Sequence, residues 1–281
     1  MSNPVRQVNV ERLELHGEGG VRAREARDDE VVVEEPLEIR VAGDTLSITM
    51  RTPGNDRELV LGFLFAEGII RGAGDVSAMA PCGRTGDEGR ENTIEVTLAP
   101  GVVLPGDGAD GPFARRGTIT TSACGVCGRR SIDDLMARFT PLEQSGATLS
   151  HETLSRVAAG LRERQPVFAR TGGCHAASLA TFAGEHVVTF EDVGRHNAVD
   201  KVVGSRVLAT ELPLDARVLF VSGRSSFEIV QKAIAARIPV VASVSAPSSL
   251  AVDLARRANV TLAGFVRGDS LTVYSGASRI T

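Results

Sequence analysis

Arg217-Val218-Leu219-Phe220-Val221-Ser222-Gly223-Arg224-Ser225-Ser226 is the stretch on which the fold turns. An uninterrupted apolar run that stops at small hydroxyl residues, glycine and arginine has the pattern of a strand buried on both faces and ending in a functional turn. Two further buried strands follow, Val240-Val241-Ala242-Ser243-Val244 and Thr261-Leu262-Ala263-Gly264-Phe265-Val266. Between them the spacing predicts helices over Ser226 to Ala236 and Ser249 to Ala258. Strand, helix, strand, helix, strand with continuous apolar strands predicts a parallel arrangement covered by helices. Upstream, Ala177 to Phe182 and His186 to Phe190 are strand-like runs split by Gly184, and Leu149 to Arg164 carries apolar residues at helical spacing.

The N-terminal part reads differently. Val8 to Leu15 alternates as a half-buried strand does, and the charge run Arg22 to Asp29 is expected to be a solvated connection. Leu37 to Val41 and Leu46 to Met50, separated by Ala42-Gly43-Asp44, form a hairpin pattern. Asp56 is the expected cap of a helix running to Ile70, and Thr93 to Leu98 is another strand. The Gly/Asp-rich stretch Pro105 to Gly111 makes a natural boundary. The expected division is therefore a small α+β lobe over 1–115, a loop and connecting helix over 116–144, and an α/β domain over 145–281.

Composition limits the possible functions. The chain has 281 residues, 42% hydrophobic and 23% charged, with a formal net charge of -4, so no global field draws it to nucleic acid. It has no Trp and a single Tyr, which disfavours an aromatic platform for single strands. No apolar run approaches the roughly 20 residues of a membrane span. Four cysteines without the spacing of a disulfide framework, and an opening Met1-Ser2-Asn3-Pro4-Val5 without an apolar core, lead us to expect a cytoplasmic protein.

Chemistry concentrates in a few places. Cys124 and Cys127 form a C-x-x-C pair followed by Arg129 and Arg130, and Ser131 begins a predicted helix to Phe139. Adjacent cations lower a thiol pKa and favour the reactive thiolate. Three readings fit: half of a zinc site completed by Cys82, Cys174 or His175; a redox pair; or a sulfur carrier. Polar residues also gather where parallel strands end and helices begin, at Ser222 to Ser226, at Ser243 to Ser249 and at Phe265 to Asp269. A phosphate suits the first turn, and the aromatic ring, cation and carboxylate of the last suit a purine, so a nucleotide-like ligand is expected. Thr171 to Ala177 has a superficial likeness to a zinc deaminase core, but Ala177 stands where the essential glutamate would be. Glu191 to Lys201 is dense in ionisable groups, readable as a functional cluster or as a solvated helix start.

Taken together, Ser122 to Gly128, Thr171 to Ala177, Glu191 to Lys201, Ser222 to Glu228 and Gly264 to Arg267 resemble the FdhD family, as do Thr52-Pro53-Gly54 and Gly62 to Ile70. The resemblance implies an α/β protein, α+β overall. Its cytidine-deaminase-like domain would have helices around a mixed, partly parallel sheet, with a smaller β-rich N-terminal lobe. It implies a sulfurtransferase required for formate dehydrogenase activity, which takes persulfide sulfur from a cysteine desulfurase. That sulfur would pass to the molybdenum bis(molybdopterin guanine dinucleotide) cofactor, bound as cargo, before the cofactor enters apo-formate dehydrogenase. Cys124 would carry the persulfide and Cys127 assist. Cofactor contacts are expected from Phe265, Val266, Arg267, Gly268, Asp269 and Ser270, with Ser222, Gly223, Arg224 and His196. A homodimer is implied, with no intrinsic metal, nucleic acid or membrane partner. The alternatives are a non-catalytic cofactor chaperone and a zinc or thiol-redox protein.

Overall fold

The architecture comes from a computed structural model that describes residues 3–15, 21–82, 90–103, 140–143 and 146–281. The predicted helix from Ser131 and the C-x-x-C pair lie outside the described residues. A six-stranded mixed sheet organises the C-terminal half, in the order β12-β11-β10-β9-β7-β8. Its strands are β7 (His175–Thr181), β8 (His186–Asp192), β9 (Arg217–Val221), β10 (Val240–Ser243), β11 (Thr261–Arg267) and β12 (Ser270–Ser275). The apolar runs β9, β10 and β11 pair in parallel, Val218 with Val240 and Val240 with Thr261. β7 pairs antiparallel with β9 and with β8, so β8 points the same way as β9.

Alternation along these strands feeds two cores, one on each face of the sheet. Leu179, Leu219, Val221, Val241 and Leu262 face one way, onto helices α4 (Arg195–Leu208), α5 (Phe227–Ala235) and α6 (Ser249–Arg257). Ala176, Ala180, Phe220, Val240 and Ala263 face the other way, onto helix α2 (His151–Glu163). The short helix α3 (Pro166–Thr171) leads into β7.

The N-terminal half holds a four-stranded sheet in the order β4-β3-β6-β5, from β3 (Glu35–Val41), β4 (Asp44–Arg51), β5 (Val76–Pro81) and β6 (Thr93–Leu98). The predicted hairpin is β3–β4. Helix α1 (Asp56–Ala66) follows and packs on α4 at unusually close range. A Cβ on Gly62 would stand 1.9 Å from the Asp200 carbonyl oxygen, and one on Gly204 would stand 1.8 Å from that of Glu58. Each helix thus supplies the glycine that lets the other's backbone in. One apolar core runs from Leu37 and Ile39 through Leu64 and Val203 to Leu262.

Two expectations are corrected. The charge run from Arg22 is strand rather than connection: β2 (Val21–Val32) pairs antiparallel along the whole of β1 (Val5–Leu15). β2 is exposed for most of its length, so its pairing rests on the backbone ladder, to which exposed cross-strand charges such as Arg24 with Glu11 add little, and no buried face leaves an alternating signature. Asp56 is not the cap of α1. Asn55 occupies the N-cap at φ 58° without a side-chain bond, and Asp56 is the first helical residue. Its carboxylate is taken by Arg51, which is buried and grips it through Nε and Nη2 at 2.9 and 3.0 Å. A buried guanidinium needs such partners more than a helix needs one cap.

Candidate functional site at the C-terminal edge of the central sheet

Because β8, β9, β10 and β11 point the same way, the helices that follow the first three all begin at one edge. That edge carries the three polar turns singled out in the sequence. Hydrogen bonds knit them together. Val244 N–H donates to Val221 O, Ser248 N–H to Ser225 O, and Phe265 N–H to Ser245 O at 3.2 Å. Gly264 is needed there, since a Cβ would meet the Ser245 carbonyl at 2.8 Å.

The Phe265 to Ser270 segment turns from β11 into β12 through a register shift between Gly264 and Arg267. Phe265 sits at φ 53° with its side chain 42% exposed. A left-handed backbone at a bulky residue costs roughly 1–3 kcal/mol, and such strain persists where the surroundings hold it for use. Val266 is buried in the core beside α2, so only its backbone faces the site. Arg267 is exposed and donates from Nε to the Val244 carbonyl at 3.3 Å, which ties this segment to the turn after β10. Gly268 takes φ 49°, Asp269 is exposed, and the Ser270 hydroxyl donates to Arg267 O.

At the turn after β9 the residues divide their work. The Ser222 hydroxyl accepts from Ala176 N–H at 2.8 Å and locks the turn to β7. Gly223 lies against His175, because a Cβ there would come within 3.2 Å of its Nδ1. Arg224 is exposed at the rim. His196 has both ring nitrogens engaged, Nε2 with the Ser226 hydroxyl at 2.9 Å and Nδ1 with Glu228 at 2.8 Å, so it braces the start of α4 against the start of α5.

The cluster from Glu191 to Lys201 is buried, which excludes the solvated-start reading. Lys201 Nζ contacts Asp192 at 2.7 Å and donates to Thr52 O at 3.0 Å. Asp192 also accepts from Thr52 N–H, Gly194 N–H and the Asn197 amide. Asp200 pairs with Lys232 at 2.6 Å. Burial, opposed by the Lys232 charge, pushes the Asp200 carboxyl up to about 6. These groups are spent on one another and fix the turn from β8 to α4.

Cys174 and His175 stand at the start of β7 on the same edge. Burial and the neighbouring Glu191 carboxylate push the Cys174 thiol far above the ordinary range, and it donates to Glu191 at 3.3 Å. It is a protonated structural thiol, which does not suit a nucleophile. Among the described residues no group of three or more His, Cys, Asp or Glu is arranged to hold a metal ion. Ala177 is fully buried in the sheet core, and its methyl group cannot shuttle protons.

Sequence reasoning left one feature out of its cofactor contacts: Arg195, the first residue of α4, close to Gly223 and with a buried Nε that has no hydrogen-bond partner. The signal was an arginine directly after Gly194 at a helix start, inside a cluster read as a whole rather than residue by residue.

Comparison with known proteins places this arrangement. Residues 32–281 match the FdhD/NarQ family. A protein of Anaeromyxobacter dehalogenans named sulfur carrier protein FdhD is 52% identical over 279 residues, covering 96% of this chain and 93% of its own. Proteins of the same name from Nocardia farcinica and Mycobacterium tuberculosis are 48% and 49% identical, covering 90% and 91% of this chain and 89% and 93% of their own. A crystal structure from Desulfotalea psychrophila, described as a formate dehydrogenase accessory protein, superposes with a TM-score of 0.72 at 24% identity, covering 98% of this chain and 99% of that one. That likeness speaks for the fold, the sequence matches for kinship: the chain belongs to the FdhD/NarQ family.

Proposed function

We propose that the protein is a sulfur carrier that accepts persulfide sulfur from a cysteine desulfurase and delivers it to a molybdenum bis(molybdopterin guanine dinucleotide) cofactor destined for formate dehydrogenase. The observation that carries this reading is the match to proteins named as sulfur carriers along nearly the whole chain, with a C-x-x-C pair at Cys124 and Cys127. Cys124 is the persulfide carrier and Cys127 assists. A thiolate attacks the terminal sulfur of the donor persulfide, the new S–S bond forms on Cys124, and the donor cysteine leaves as a thiolate.

Delivery needs a second site, and the C-terminal sheet edge has the character for it. Phe265, held in a strained backbone and exposed, offers a stacking face for guanine; Asp269 suits its donor edge, and Arg267 its oxygen or phosphate. The turn Ser222-Gly223-Arg224 lies between uncapped helix starts, a setting that favours anions. The protein acts as a cytoplasmic homodimer in this reading.

Replacing Cys124 by alanine is expected to abolish activation of a co-expressed formate dehydrogenase while GDP affinity is retained, measured by formate oxidation and calorimetry. Normal activation by that variant would overturn the assignment. Arg267→Ala should weaken GDP binding, and unchanged affinity would remove Arg267 from the site.

A further inference from the structure

Three positively charged or protonatable side chains meet around one glycine at the sheet edge, beyond the residues whose hydroxyls and rings are already committed to bracing. Where a side chain on Gly223 would project, His175 and Arg195 stand together: a Cβ there would lie 3.2 Å from His175 Nδ1 and 3.8 Å from Arg195 Cδ. Arg224 follows in sequence at the exposed rim. The Arg195 Nε is buried without a hydrogen-bond partner, which is costly for a guanidinium donor unless something outside the chain accepts from it. Ser225, fully buried beside Arg224, likewise has a hydroxyl with no partner.

Two helix N-termini open onto the same place. Helix α4 begins at Arg195 behind Gly194, and α5 begins at Phe227 behind Ser226; neither has a side-chain cap bond, and the Ser226 hydroxyl is engaged with His196 instead. Helices α2 and α6 are by contrast capped, by Ser150 and by Ser248, although α6 begins at the same edge. The uncapped pair presents free backbone N–H groups and the positive ends of two helix dipoles. The brace from His196 to Ser226 and Glu228 holds the pair at a fixed separation.

We infer that Arg195, His175 and Arg224, set around Gly223 between the starts of α4 and α5, form a cradle for a diphosphate. This rests on the reading of the edge as a nucleotide site and supplies its phosphate end. Arg195 is the fork that grips one phosphate through Nε and a terminal nitrogen, the geometry in which guanidinium surpasses ammonium. Gly223 is glycine because a side chain would crowd His175 and hold the anion off the backbone. His196 acts through its brace and does not touch the ligand.

The state of His175 agrees. Burial first, then the charges of Arg195 and His196, hold its pKa below the ordinary histidine value, with Asp192 opposing and Arg224 adding to the effect. An arriving dianion offsets those charges and draws a proton onto the ring.

Calorimetry on the full chain with inorganic diphosphate, GDP and guanosine tests the cradle. Arg195→Ala is expected to weaken diphosphate and GDP by about tenfold or more and to leave guanosine unaffected. Arg195→Lys should recover only part of the loss. Because Arg195 Nε bonds nothing in the protein, the variants should melt as the parent does. Binding near neutral pH should take up a proton, read from the buffer dependence of the heat, and His175→Gln should abolish that uptake. Unchanged diphosphate affinity in Arg195→Ala, or no diphosphate binding by the parent, overturns the cradle. If GDP binds tightly and independently of Arg195, the cradle falls and the nucleotide reading stands. If diphosphate binds through Arg195 but GDP binds no better than diphosphate, the cradle stands and the guanine reading falls.

Discussion

The β1–β2 hairpin and the C-terminal edge of the central sheet are both crowded with charge, yet they use it in opposite ways. On the hairpin, Arg24 meets Glu11 at 3.4 Å and Arg27 meets Asp29 at 3.0 Å with all four side chains in water. Such pairs contribute little, because solvent screens them and two long side chains must be ordered. At the sheet edge, Lys201 and Asp192 are buried together, and their hydrogen bonds hold the backbone of Thr52, Glu191 and Gly194. There a charge either has a partner or costs several kcal/mol. The lesson is that the edge spends its inner charges on rigidity, while at its rim Arg224 stands exposed, Arg195 keeps an unbonded Nε and Arg267 bonds through Nε to the Val244 carbonyl.

That contrast can be broken first at Lys201. Lys201→Met leaves Asp192 buried without its counter-charge and is expected to cost about 3–5 kcal/mol, measured by denaturant unfolding. A loss under about 1 kcal/mol would mean that water reaches the pair and the edge is no drier than the hairpin. Gly204→Ala tests whether the edge is anchored on α1. A methyl group there would overlap the Glu58 carbonyl, so we expect a loss of about 3 kcal/mol, at the upper end of ordinary overpacking, seen as a lowered Tm. Retained stability would show that the two helices can separate.

A smaller effect concerns pH. His175 has a lowered pKa in the folded chain, so the unfolded chain binds its proton first as pH falls through the ordinary histidine value of 6.5. Its contribution is present above that value and is lost below it. His175→Asn should flatten the acid limb of the stability profile in ligand-free protein; an unaltered limb would assign that slope to other groups. The smallest change is expected on the hairpin, where Arg24→Ala should alter stability by less than about 1 kcal/mol. A larger loss would show that the exposed ladder depends on its charge pairs.

How much of this was legible depends on whether burial leaves a pattern. Strands β9 to β11 and helices α5 and α6 were readable because both-face burial makes continuous apolar runs and helical spacing marks the covering faces. Strand β2 was not, since an exposed ladder imposes no apolar alternation on Arg22 to Asp29. Of helix α4 only a start was readable, because its buried positions include Asn197, Asp200 and Lys201, whose partners lie on β8, α5 and the N-terminal segment around Met50 and Thr52. The three polar turns at the sheet edge could be read one by one from strand ends. The nearness of His175 and Arg195 to Gly223 could not, because it follows from the antiparallel insertion of β7 between β8 and β9. His196 was expected among the cofactor contacts for its chemistry; both of its ring nitrogens are engaged, with Ser226 and with Glu228, which makes it a brace.

The most direct test of sulfur carriage is mass spectrometry of the protein and its peptides after incubation with a cysteine desulfurase and cysteine, without reductant, beside Cys124→Ala. The account predicts added sulfur on the Cys124 peptide, removable by reductant and missing from the variant. No added sulfur in a protein that still binds GDP would contradict it and leave a cofactor chaperone in its place.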